Sequence, residues 1–148
     1  MTILFLDFDG VLHPYPLHAD DQHAEPFQRT PLLWTLLRQH PALHVVVSSS
    51  WRERFGLDYL TDFLTYGGGE DLGDRILGMT PILHHAERDL ECVAWLEAQG
   101  QLNTPWLALD DQPALFQRHR EALYPINPKQ GLTSEDLSRI SARLSAHP

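Results

Sequence analysis

Four carboxylates stand in two tight pairs, Asp7-Phe8-Asp9 and Asp110-Asp111, and each pair directly follows a short apolar run. The first pair closes Ile3-Leu4-Phe5-Leu6 and the second closes Trp106-Leu107-Ala108-Leu109. A third run, His44-Val45-Val46-Val47, ends in Ser48-Ser49-Ser50. Runs of this kind fit strands buried on both faces of a parallel sheet, and a core has no use for an acid at their ends. In an extended chain Asp7 and Asp9 point to one side while Phe8 points back into the protein. Gly10 lets the backbone turn sharply and come close to a ligand, which places it with the candidate substrate-binding residues. Parallel strands share a direction, so all three polar ends fall along one edge of the sheet, where open α/β sheets bind ligands. Carboxylates crowded there repel one another and raise each other's pKa unless a hard divalent cation with oxygen ligands neutralises them. Mg²⁺ is the expected ion.

The elements that must position these groups follow from periodicity. His13-Pro14-Tyr15-Pro16 through Gln28 has no apolar period and reads as a loop over the site. Thr30-Pro31 supplies a cap and a first-turn proline for a helix carried by Leu32, Leu33, Leu36 and Leu37 and stopped by Pro41. A second helix is expected from about Trp51 to Thr65, closed by Gly67-Gly68-Gly69, and a third from Ala86 to Gln99, ended by Gly100. Residues 70–85 read only as loop with some short strand or turn. Ala122-Leu123-Tyr124 suits a short edge strand, and Thr133-Ser134-Glu135-Asp136 opens a last helix with a cap and an acid three residues on. Strands and helices alternate throughout, which predicts an α/β fold: a Rossmann-like three-layer sandwich around a mostly parallel sheet, one domain over residues 1–148.

Composition narrows the function. A net charge of -9 is a poor footprint for tight nonspecific nucleic-acid binding, although it leaves local recognition of a phosphate open. The apolar runs are far too short to span a membrane, and the N-terminal one is broken by Asp7, which argues against a signal peptide. The lone cysteine, Cys92, has no partner within the chain and suits a reducing, cytoplasmic compartment; its place in a helical pattern reads as a buried small residue.

The same residues resemble the motifs of the haloacid dehalogenase-like (HAD) phosphohydrolase superfamily. Asp7-Phe8-Asp9-Gly10-Val11-Leu12 looks like its first motif, Val45-Val46-Val47-Ser48 its second, and Leu107-Ala108-Leu109-Asp110-Asp111 its fourth. For the single basic residue of the third, Arg88 is the best match and Arg75 the next. Ser-Ser-Trp-Arg after the second strand, Arg88-x-x-Glu91 and Gln130-Gly131-Leu132-Thr133 are similar to the small capless domains of this superfamily found in RNA-repair proteins. The resemblance implies a catalytic set of Asp7, Asp9, Ser48 and Arg88. Asp7 would be the nucleophile that forms an aspartyl-phosphate, and Asp9 would protonate the leaving oxygen and then activate water, with its backbone carbonyl on Mg²⁺. Ser48 would donate to the phosphoryl group and Arg88 would neutralise charge on its oxygens and on Asp7. The implied metal set is Asp7, Asp9, Asp110 and Asp111, with the direct ligand of the last pair open.

Several of these residues also have structural readings. Ser50-Trp51-Arg52-Glu53 fits a capping box, which makes Ser50 structural and leaves Ser48, then Ser49, for the phosphate. Arg52 either binds a substrate phosphate or lies on a helix surface. Arg88 has Glu91 three residues on as a competing ion-pair partner. Trp51 either stacks on a base or packs in the core. The nine histidines carry no assignment; His84-His85 lacks the spacing of a helical metal site. Neither Leu12 to Thr30 nor Arg88 to Asp110 has room for a cap domain, so the site is expected to be open. The expected activity is a Mg²⁺-dependent phosphomonoesterase acting on a nucleotide or polynucleotide terminal phosphate. A small-metabolite phosphatase and a noncatalytic phosphate-recognition module are the alternatives. A homo-oligomer or an RNA-repair partner protein is compatible with such an open site.

Overall fold

The computed structural model describes residues 1–16, 25–84 and 87–146. Five strands form one sheet: β1 (Thr2–Leu6), β2 (Leu43–Val47), β3 (Ile76–Met79), β4 (Trp106–Asp110) and β5 (Leu123–Pro125). Their order is β3-β2-β1-β4-β5, and every neighbouring pair runs parallel. The α-helices among the described residues are α1 (Thr30–Gln39), α2 (Leu57–Thr65), α3 (Arg88–Ala98) and α4 (Ser134–Ala146). The chain runs outward from β1 through β2 to β3, then returns to the other side of β1 for β4. Right-handed crossovers therefore place α1 and α2 on one face and α3 on the other.

The two apolar clusters reflect this directly. Leu4, Leu6, Val45, Val47, Leu107 and Leu109 pack with α1, α2 and α4, whereas Ile3, Phe5, Val46 and Ala108 pack with Cys92, Trp95 and Leu96 of α3. Alternation along each strand sends successive side chains to opposite layers, which is why both faces of the strands are apolar. The architecture is thus the expected three-layer α/β sandwich, without a cap domain between the described elements and wholly parallel. Among the described residues no helix is long and apolar enough to cross a membrane.

Local structure departs from expectation in the turn after β2 and at the start of α1. Residues 70–85, read as loop with some short strand or turn, contain a 3₁₀ turn, Glu70–Arg75, and the short edge strand β3, whose Ile-Leu-Gly-Met segment lacks the β-branched run that marks β2. The helix expected from Trp51 is split: Ser50–Glu53 is a 3₁₀ turn, and α2 begins at Leu57 after Gly56 in the cap position. The cap of that turn is Ser49, whose Oγ accepts the Trp51 N–H at 3.2 Å, and not Ser50. At α1 the cap position is Arg29; Thr30 is the first helical residue, and its hydroxyl donates to the Phe27 carbonyl. The capping box of α4 forms as expected, with Thr133 and Asp136 exchanging hydrogen bonds.

Candidate active site

Register brings the polar strand ends together. Leu6 of β1 lies level with Val47 of β2 and with Leu109 of β4, so the next residues, Asp7, Ser48 and Asp110, form one row across three adjacent strands. Backbone bonds continue the sheet through that row, from the Ser48 N–H to the Leu6 carbonyl at 2.8 Å and from the Asp7 N–H to the Leu109 carbonyl at 3.1 Å. By strand alternation these three side chains share the face of Phe5, Val46 and Ala108, the face covered by α3. The first residue of α3 is Arg88. Its guanidinium lies 2.7 Å from Asp110 Oδ2 and 3.2 Å from Asp7 Oδ2. The row sits where the chain reverses its direction across the sheet, between β1 and β4, the place where ligands bind in such folds.

Carboxylate oxygens of Asp7, Asp110 and Asp111 lie within 4.8 Å of one another. Burial raises the Asp7 carboxyl well above its ordinary 3.8, with Asp110 adding to the shift and Arg88 opposing it. Asp110 is raised too, by burial, against the pull of Arg88. Burial works against the charge on Arg88, yet Asp7 and Asp110 outweigh it and hold the guanidinium protonated. Three carboxylates therefore face one cation, and a divalent ion would complete the balance. The donors are all hard oxygens, as Mg²⁺ prefers, and Asp111 Oδ1 is buried with no hydrogen-bond partner. The residues present fit the ion. The Ser48 hydroxyl is likewise buried and unpartnered, consistent with a group awaiting a substrate oxygen.

The Asp9 side chain stands outside that acid group. Its Oδ1 receives His13 Nε2 at 2.7 Å and Trp51 Nε1 at 3.2 Å, and its side chain borders a pocket of about 470 Å³ lined also by Ser50, Trp51, Glu53, Arg54 and Phe55. The carboxylate group that could hold metal thus comprises Asp7, Asp110 and Asp111, without the Asp9 side chain. Gly10 has a role other than approach to a ligand. At φ +79° it lies against Asp111, and a Cβ there would occupy the space of that carboxylate.

Other expectations are also redistributed. Arg52 is turned into the protein: it pairs with Glu91 at 2.9 Å, both side chains almost wholly buried, and donates to the carbonyls of Ser49 and Thr80. It is a brace and not an exposed phosphate ligand, because burial forces its donors onto fixed acceptors. Glu91 accordingly does not pair with Arg88; its carboxylate also accepts the Leu83 N–H. Ser49 is fully buried and occupied as the cap of the 3₁₀ turn, which leaves Ser48 as the serine of the row. Arg75 binds the carbonyls of Leu37, His40 and Leu43 at the opposite end of β2, far from the row. Trp51 follows its core reading, packing on Phe8, Phe27, Phe55 and Phe63, and its indole N–H also donates to Asp9. Burial raises the Cys92 thiol, as an inert core cysteine requires. Of the loop expected over the site, residues 17–24 lie outside the described residues, as does His85 of the histidine pair.

Sequence reasoning missed His13. It is fully buried, and its signal was its place four residues after Asp9 in the turn that follows β1. The Gln130-Gly131-Leu132-Thr133 segment buttresses the same turn: Leu132 N–H donates to the Val11 carbonyl at 2.7 Å, and Gly131, at φ +69°, packs against that carbonyl. A family model described as the HAD domain in Swiss Army Knife RNA repair proteins matches residues 3–137. No curated protein matches the chain.

Proposed function

Because the chain belongs to the family of HAD domains in Swiss Army Knife RNA repair proteins, we propose that it is a Mg²⁺-dependent phosphomonoesterase whose substrate is a nucleotide or polynucleotide terminal phosphate. The observation that carries this reading is the strand-end row of Asp7, Ser48 and Asp110 with Arg88 bridging its two acids. Asp7 is the nucleophile: its carboxylate oxygen attacks phosphorus, and the bond to the leaving oxygen breaks. Ser48 donates its otherwise unpartnered hydroxyl to a phosphoryl oxygen. Arg88 offsets charge on Asp7 before attack and on the equatorial oxygens during transfer, in a reaction helped mainly by positioning and electrostatics. Asp9 passes a proton to the leaving oxygen and later takes one from the water that hydrolyses the aspartyl-phosphate. Asp7, Asp110 and Asp111 would hold Mg²⁺, which when bound supplies the positive charge the site lacks and polarises the phosphoryl group.

The substrate class is supported by the open approach and by the RNA-repair setting of the family. Among the described residues no cap covers the pocket that Asp9 borders, so the part of the substrate beyond the leaving oxygen can be large. The test is phosphate release from an aryl phosphate, nucleoside monophosphates, and oligonucleotides phosphorylated at either end, with Mg²⁺ and with chelator. Release should require Mg²⁺, be fastest on nucleotide or oligonucleotide ends, and fall below detection in Asp7→Asn. Turnover that persists in Asp7→Asn would exclude the covalent route.

A further inference from the structure

We propose that His13 is a positioning residue, held in one tautomer by the backbone of Phe27, that fixes the Asp9 carboxylate for proton transfer to the leaving group; this rests on the phosphatase reading above. The Phe27 N–H points at His13 Nδ1 at 3.1 Å. A backbone N–H can only donate, so Nδ1 carries the lone pair and the ring's proton sits on Nε2. Nε2–H then donates to Asp9 Oδ1 at 2.7 Å.

Trp51 Nε1–H reaches the same oxygen at 3.2 Å. Two N–H groups on Oδ1 set the rotation of the carboxyl group and leave Oδ2 as the oxygen for proton exchange. In the first half-reaction Asp7 forms its bond to phosphorus as the leaving oxygen departs with the Oδ2 proton. In the second, Oδ2 takes a proton from the attacking water, and Asp7 is released with inorganic phosphate.

The relay is built and rigid. His13 is fully buried, edge-on to Phe27. Its carbonyl accepts the Gly10 N–H, which ties the histidine back to the turn that carries Asp9. Phe27 adopts φ 61°, a conformation that a large side chain holds only when its surroundings over-determine it. Those surroundings are present: its ring stacks on Phe63 and meets Phe8 and Trp51 edge-on. The strained backbone is what aims the N–H at His13.

Fixing a proton donor matters most where the leaving group is a poor one, because an alkoxide needs the proton and a nitrophenolate hardly does. Steady-state rates are therefore compared for wild type, His13→Phe and His13→Gln on a nucleoside monophosphate and on para-nitrophenyl phosphate, with Mg²⁺. In His13→Phe, kcat should fall about 10²-fold on the nucleotide and only a few-fold on the aryl ester, at similar KM. Glutamine can accept from the Phe27 N–H and donate to Asp9, so His13→Gln should recover most of the loss. Equal slowing on both esters, or no slowing, would overturn the positioning role while leaving the phosphatase reading intact. A wild type inactive on both esters and on the phosphorylated oligonucleotides would overturn that reading and the positioning role of His13 with it. Nitrogen-15 NMR of the wild-type protein tests the relay without any variant: the His13 ring should show a proton on Nε2 alone, slow to exchange with solvent. A proton on Nδ1 would overturn it.

Discussion

Asp7 carries the largest electrostatic burden among the residues of the site, and its titration has a definite sign. Its folded-state pKa lies above its unfolded value, so the folded protein holds the proton more tightly than the unfolded chain does. This contribution to stability is complete below the unfolded pKa and is lost as pH rises toward the folded one. Asp110, raised in the same direction, adds to the trend. A divalent ion removes the cause. Thermal unfolding in chelator should therefore show this contribution declining from about pH 4 upward, and Mg²⁺ should raise Tm more at pH 7 than at pH 5, where protons compete for the carboxylates. At a hundredfold excess over Kd the gain would be about 2.7 kcal/mol. An equal Mg²⁺ effect at both pH values would place the ion elsewhere.

Elements converge on the site through braces that are themselves buried. Arg52 joins the 3₁₀ turn after β2 to α3 through Glu91, and breaking a buried pair leaves an uncompensated charge. Arg52→Ala should cost about 3 kcal/mol in urea unfolding, whereas a raised KM with unchanged stability would return Arg52 to the substrate. The strands β1, β2 and β4 and the four helices were legible in the sequence because each carries an apolar period or run. Asp7, Ser48, Arg88, Asp110 and Asp111 were legible because they end or begin those elements. What escaped was set by contacts distant in sequence. The tie of Arg52 to Glu91, the carbonyls bound by Arg75 and the pairing of Phe27 with His13 join residues 14 to 39 positions apart or more loosely patterned, and no local period encodes them. The place of β3 within residues 70–85 escaped because pairing with β2, and not β propensity, makes it a strand.

Across the whole molecule, 20 acidic residues against 11 basic ones give a surface that repels a long polyanion. Oligonucleotides of increasing length should thus gain little in kcat/KM beyond their terminal nucleotides, and KM should change only weakly between low and moderate salt. A steep loss of affinity with salt would reveal a basic track along the strand and contradict the charge argument. The central place of β1 has a further consequence, in the order of synthesis. β1 needs β2 on one side and β4 on the other, and β4 begins at Trp106, far along the chain from Leu6. On a ribosome adding roughly 5 to 20 residues per second, the two are made about 5 to 20 s apart. Through that interval the nascent chain carries Ile3-Leu4-Phe5-Leu6 with one edge unpaired, an apolar template for a neighbouring chain on the same message. How quickly the ribosome traverses α2 and α3 then sets how long that edge stays open to such pairing.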